Sequence, residues 1–307
     1  THREDIVNCY VCAAIRLTAY VLLTLVLLPV QMVAIACNMR LAEELPRFYH
    51  ALCLRILHIE VRVSGGDLMD GPGVIVANHA SYLDIPVLGA LTRASFIAKT
   101  EVASWPVFGL LAKLSRSTFV ERRAVRSRDQ NDQLSERLNN GDKLILFPEG
   151  TSNDGNRVLP FKSTLFAAAE RTLPDGSQVK FQPVSIAATR LDGAPIGRDL
   201  RAFYSWYGDM DLAPHLWQFM ALGKVTVEIV VHPPVTLADA AGSRKELARM
   251  CEAKVAQGHQ AALRGIHQGV PVQLIDSDLS GELVGFSPLA IICEDFRLFG
   301  PDRQFGA

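Results

Sequence analysis

From Leu17 to Met39 the chain reads LTAYVLLTLVLLPVQMVAIACNM, 23 residues without a charge, closed off by Arg16 and Arg40. As a helix this stretch is long enough to cross about 30 Å of hydrocarbon, so the first constraint on the fold is an apolar element that lipid or protein has to cover. It exceeds a secretory h-region and no small-residue cleavage site follows it, which predicts a retained membrane anchor rather than a cleaved signal. Pro29 leaves three forms open: a straight span, a kinked helix or a re-entrant hairpin. Arg3 and Arg16 on one side balance Arg40 and Arg47 on the other, so charge does not fix the orientation.

The remaining length, within 307 residues of formal net charge −1, suits one catalytic domain of ordinary size. Such a balance gives no sign of a nucleic-acid partner. Residues 1–59 read as the anchor plus an amphipathic helix over 41–58. Residues 60–264 read as the domain, and 265–307 as a tail without usable periodicity, to which no role is assigned. Of the six cysteines, Cys9 and Cys12 have CxxC spacing but lack a second pair or a histidine cluster. No metal site is expected, and the thiols fit a reducing compartment.

Beyond residue 59 short β-branched runs alternate with helical patterns. Glu60–Val63, Val74–Ala77, Ser95–Ala98, Thr118–Val120, Lys143–Phe147, Lys180–Ala187 and Lys224–Val231 read as strands, with Pro183 marking an edge or a bulge. Residues 101–114, 126–140, 163–171 and 243–262 read as helices. The aromatic stretch 203–220 reads as packing or membrane contact, with packing the default. This predicts an α/β fold, a mixed sheet flanked by helices with an N-terminal membrane-associated helical segment.

Two loops leave strand ends carrying reactive groups. After Val74–Ala77 come Asn78 and His79, with Asp84 five positions on; after Lys143–Phe147 comes Pro148-Glu149-Gly150-Thr151. Ligands of open α/β sheets bind outside the carboxyl ends of strands, so two such loops can share one rim. On an unbroken helix five residues turn about 500°, which keeps His79 and Asp84 apart, so they meet only if the chain turns between them. Pro86 suits the first turn of a helix and favours such a bend. A carboxylate on one ring nitrogen then frees the other to take a proton from a hydroxyl. The plainer reading of Ser81 and Asp84 is a capping box.

Four ordered motifs resemble the glycerolipid (lysophospholipid) acyltransferase family. Asn78 to Asp84 fits NHxxxxD, Phe119-Val120-Glu121-Arg122 the second block, Phe147 to Thr151 FPEGT, and Gln182 to Ile186 a VPVxI-like block. The resemblance implies acyl transfer from acyl-CoA or acyl carrier protein, as co-substrate and with no further cofactor, to the hydroxyl of a lysolipid without a covalent acyl-enzyme. In agreement, no GxSxG elbow is present. It implies His79 as general base, Asp84 as its orienting partner, and Arg122, Glu149, Gly150 and Thr151 around the acceptor head group. Lys99 and Lys162 are nearby cation candidates whose plainer reading is surface charge, and Glu149 has a second reading as a support for the loop.

The acceptor expected from the resemblance is 1-acyl-sn-glycerol 3-phosphate, giving phosphatidic acid, on the cytoplasmic face of the inner membrane. One departure bears on it. Many members continue FPEGT with Arg-Ser, whereas Ser152-Asn153-Asp154 follows here. A lyso-ornithine lipid is therefore the runner-up acceptor, and a non-catalytic lipid-binding protein is the reading from another class.

Overall fold

The computed structural model describes residues 9–104, 108–120 and 128–274. Helix α1, Tyr10–Ala36, runs unbroken through Pro29, which removes the hairpin form of the anchor. It lies lengthwise against the rest of the protein. Leu17 and Tyr20 pack on the main core, the Thr24 hydroxyl meets Tyr49, and Ala34 is buried, while Val11, Ile15, Leu22, Val26 and Val33 stand exposed on the other side. The covered residues recur every three to four positions, as one helix face requires. Arg16 pins the near end, donating to the carbonyls of Met220 and Leu222 at 2.9 and 2.7 Å.

The CxxC pair departs from the sequence expectation: Cys9 and Cys12 form a disulfide, with Cα atoms 5.1 Å apart. The first turn of a helix brings residues three apart within bridging reach. Cys37, Cys53 and Cys251 are free thiols.

Helix α2, Leu41–Ile56, carries Pro46, which cannot supply the N–H that the Ala42 carbonyl needs. Gln31 of α1 supplies it, its Nε2 donating to Ala42 O at 3.0 Å and to Leu114 O at 2.8 Å. Ala51 and Leu54 of α2 sit in the main core, so this helix packs along the domain.

The order continues β1 Ile59–Ser64, β2 Gly73–Ala77, α3 Asp84–Leu91, β3 Ser95–Lys99, α4 Phe108–Leu114, β4 Thr118–Val120, α5 Arg128–Asn139 and β5 Lys143–Leu146. Then come β6 Phe181–Leu191, β7 Ala194–Pro195, α6 Leu212–Met220, β8 Val225–Val231, α7 Arg244–Leu263 and β9 Val270–Pro271. The strands form one mixed sheet in the order β4-β3-β5-β2-β6-β8-β1-β9, with β7 beside β6. From β4 to β6 all neighbours are parallel; β8 pairs antiparallel to β6 and parallel to β1.

Both faces of the sheet are covered, which is why the central runs are apolar throughout rather than alternating. Ile75, Ala77 and Ile186 pack with α2, α3 and α6, whereas Val74, Val76 and Leu146 pack with α5 and α7.

Four expectations are corrected. Residues 163–170 form a 3₁₀ segment instead of an α-helix, because Phe166 leaves helical dihedrals (φ −93°, ψ 22°) to stack on Phe181 in the core. Pro183 lies on an interior strand, not an edge. Its carbonyl accepts from His232 just past the end of β8, so its missing N–H falls where β8 leaves the ladder. The sheet also runs past residue 264: β9 pairs with Arg62 and Val63, and Val272 N donates to Val61 O. The helical stretch over 101–114 divides into a 3₁₀ turn, Thr100–Ser104, and α4, with 105–107 outside the described residues.

Candidate active site

Because β2, β5 and β6 are parallel, the chain leaves β2 and β5 on the same rim, and the two motif loops meet there. Asn78 closes the end of β2. Its side chain donates to Ile186 O and accepts from Ile186 N, at 2.9 and 2.8 Å, continuing the β2–β6 ladder by one side chain.

His79 follows, and its backbone is held at both ends by the other loop. Its N–H donates to Glu149 Oε1 at 3.1 Å, and its carbonyl accepts from Asn153 N and Nδ2, both at 3.2 Å. Asn153 also donates to Glu149 Oε2 at 2.7 Å. The imidazole stacks on Phe147, with centroids 4.3 Å apart.

The chain turns through residues 80–83 and returns Asp84 to the ring. Asp84 Oδ2 lies 2.9 Å from His79 Nδ1 and also accepts from Ala80 N at 2.8 Å and Ser81 N at 2.9 Å. The capping box itself does not form, because Ser81 Oγ accepts from Leu83 N and α3 begins after Leu83 without a side-chain cap, but the same carboxylate that orients the ring also ties down the loop N–H groups. Asp84 is fully buried, whereas the His79 side chain keeps 22% of its surface exposed. No group among the described residues bonds Nε2, which leaves that nitrogen open to a hydroxyl.

Glu149 is 2% exposed and faces the His79 backbone, in accord with its second reading as a support. Burial pushes its carboxyl up to about 8, against the pull of the His79 N–H, Asn153 and the Leu159 N–H; the charge of Asp84 adds to the rise. Gly150 adopts φ +69°, and a Cβ there would stand 2.6 Å from Lys162 Nζ, so the lysine ammonium lies over the bare glycine. Thr151 is exposed on the same loop. Lys99 ends β3 on this rim, its backbone paired with Val120. Arg122 lies outside the described residues.

Two contributors were not singled out in the sequence. Asn153 stands two residues past the FPEGT motif, where its position was the only signal. Tyr204, whose hydroxyl donates to Asp84 Oδ1 at 2.8 Å, lies 120 positions away in a stretch that reads as packing.

A histidine backed by a buried carboxylate on the rim of such a sheet suits proton removal from a hydroxyl, and the comparisons give the class as an acyltransferase. Residues 47–187 match the family model described as Acyltransferase. The chain is 42% identical to a lyso-ornithine lipid O-acyltransferase of Brucella abortus over 80% of this chain and 93% of that protein. It is 34% identical to a 1-acyl-sn-glycerol-3-phosphate acyltransferase of Neisseria gonorrhoeae over 57% of this chain and 64% of that one. Among solved structures, the 1-acyl-sn-glycerophosphate acyltransferase PlsC of Thermotoga maritima aligns with TM-score 0.52 and 25% identity, covering 80% and 97% of the two chains. The chain belongs to the acyltransferase family and is an O-acyltransferase of the lysolipid type.

Proposed function

We propose that this enzyme transfers a fatty acyl group from an acyl thioester to the free hydroxyl of a lyso-ornithine lipid. The likeness that carries this reading is the 42% identity, over 80% of the chain, to a protein of that activity. The loop after β5 adds to it. Ser152 stands where many family members place an arginine directly after FPEGT, and the next residue, Asn153, is turned inward and committed to Glu149 and His79. Among the described residues Lys162 is the cation over Gly150, a point charge that can receive one carboxylate. Transfer to 1-acyl-sn-glycerol 3-phosphate is the second reading, favoured by the Neisseria relative and by the shared motifs.

In this mechanism His79 Nε2 takes the hydroxyl proton as the oxygen attacks the thioester carbonyl. Backbone N–H groups around Gly150 receive the oxyanion. The tetrahedral intermediate then breaks its C–S bond, and the departing thiolate takes the proton back from the imidazolium. Asp84 holds the ring in the tautomer that leaves Nε2 unprotonated and stabilises the cation formed midway. The exposed face of α1, with Val11, Ile15, Leu22 and Val26, meets the bilayer that supplies the lysolipid. The domain faces the cytoplasm, where acyl-CoA and acyl carrier protein are found.

Acceptor profiling separates the readings. Detergent-purified enzyme is given one labelled acyl thioester and, in turn, lyso-ornithine lipid and 1-acylglycerol 3-phosphate. The expected result is kcat/KM higher for the ornithine acceptor by at least about tenfold, roughly 1.4 kcal/mol of discrimination. A preference for the phosphate acceptor overturns the assignment.

A further inference from the structure

The loop that carries His79 and Asp84 is gripped from behind by the segment leading into α6. Trp206 N donates to Ala80 O at 2.8 Å, and its ring meets the edge of Tyr82 with centroids 6.0 Å apart. The Tyr82 hydroxyl in turn lies 3.0 Å from His215 Nδ1. At the centre of this grip the Tyr204 hydroxyl, itself buried, reaches the one oxygen of Asp84 that His79 does not use.

We propose that Tyr204 is a positioning residue of the reaction, which sets the orientation and hydrogen-bonding strength of Asp84 and through it the basicity of His79. The proposal rests on the reading of His79 as general base. The two oxygens of Asp84 have different duties. Oδ2 serves His79 and the two loop N–H groups, and Oδ1 serves Tyr204. A carboxylate rotates about one bond, so a fixed partner on Oδ1 fixes the direction in which Oδ2 faces the ring. The same hydrogen bond draws negative charge toward Oδ1 and tempers the stabilisation that Oδ2 gives the imidazolium through the Nδ1 proton, so that the Nε2 proton is returned readily to the leaving thiolate.

Burial, and then the charge of Asp84, hold the Tyr204 phenol well above its ordinary range, so it stays a donor throughout the working pH range. Among the described residues, titratable groups whose charge reaches this pair include Glu149 after β5, Tyr82 on the loop and His259 of α7, the last pushed down to about 4 by burial. Substitution of Tyr204 alters none of them chemically.

Tyr204→Phe keeps the ring beside Phe219, 6.3 Å away between centroids, and removes only the hydroxyl. The full chain is assayed in detergent with an acyl thioester and whichever of the two lysolipids wild type prefers. The expected result is a fall in kcat of roughly tenfold or more with acceptor KM within about twofold. The acidic limb of kcat/KM moves to higher pH, because Asp84 then holds the His79 proton more tightly. Site-specific 3-fluorotyrosine at 204, a stronger donor, moves that limb to lower pH.

Wild-type kcat together with an unmoved limb in folded Tyr204→Phe overturns the proposal. If that variant does not fold, an unmoved limb in the fluorotyrosine protein overturns it instead. His79→Ala, run alongside, separates the two claims. Activity in His79→Ala defeats the general-base reading itself, whereas inactive His79→Ala beside unchanged Tyr204 variants defeats only the role of Tyr204.

Discussion

Asp84 sits fully buried behind His79 with its Oδ2 2.9 Å from Nδ1, and the same oxygen closes the turn through Ala80 and Ser81 that makes this meeting possible. Folding the loop and preparing the base are therefore one event. A turn that failed to close would leave both a buried carboxylate without its two loop donors and an imidazole without an orienting partner.

Two substitutions at this position separate charge from architecture. In Asp84→Asn the amide oxygen still accepts from Ala80 and Ser81 but the charge opposite the imidazolium is gone, so kcat falls by roughly 10²–10⁴-fold with little change in Tm. In Asp84→Ala the buried donors of Ala80, Ser81 and Tyr204 lose their acceptor, and stability falls as well, by about 3 kcal/mol or more. Thermal melts beside initial rates distinguish the two.

Glu149 makes stability depend on pH. Its folded value, about 8, stands above the ordinary 4.5, so the folded state favours the protonated form. The stabilisation is complete below about 4.5 and is lost as pH rises toward and through 8, at no more than about 1.4 kcal/mol per pH unit. Denaturant titrations between pH 5 and pH 8 are expected to show this decline in wild type and a flatter profile in Glu149→Gln, which keeps the neutral shape.

Gly150 and Lys162 form a coupled pair. Gly150→Ala places a side chain at φ +69°, costing about 1–2 kcal/mol, and displaces the Lys162 ammonium from its place over the loop. If that ammonium receives the acceptor carboxylate, Gly150→Ala and Lys162→Ala each raise acceptor KM several-fold, and the double variant is no worse than Lys162→Ala alone. Steady-state kinetics on the three proteins give the answer.

Gln31 repairs a bond that Pro46 cannot make. Gln31→Leu leaves the carbonyls of Ala42 and Leu114 without their donor and is expected to cost about 1–3 kcal/mol. Pro46→Ala restores the missing N–H to Ala42, so its addition recovers part of that loss. Denaturant unfolding of the four proteins of this cycle measures the coupling.

The strands and both motif loops were legible because their signals are local. A short β-branched run ending in Asn78-His79 or Phe147-Pro148 carries its own boundary, and parallel pairing then places both ends on one rim. What distant contacts decide was not legible. Tyr204 acts on Asp84 across 120 positions, and nothing in its own neighbourhood distinguishes it from a packing aromatic. Pro183 looks like an edge residue until the departure of β8 shows where its missing N–H points. The 3₁₀ form of residues 163–170 follows from Phe166 seeking Phe181, a contact that local helix propensity does not contain.

The central claim is that the imidazole of His79 removes the acceptor proton. Its most direct test is the lysolipid-dependent release of free thiol from an acyl thioester by folded His79→Ala, compared with wild type at equal protein concentration. The account predicts a fall of more than about a hundredfold with acceptor binding retained. Turnover within a few-fold of wild type would contradict it.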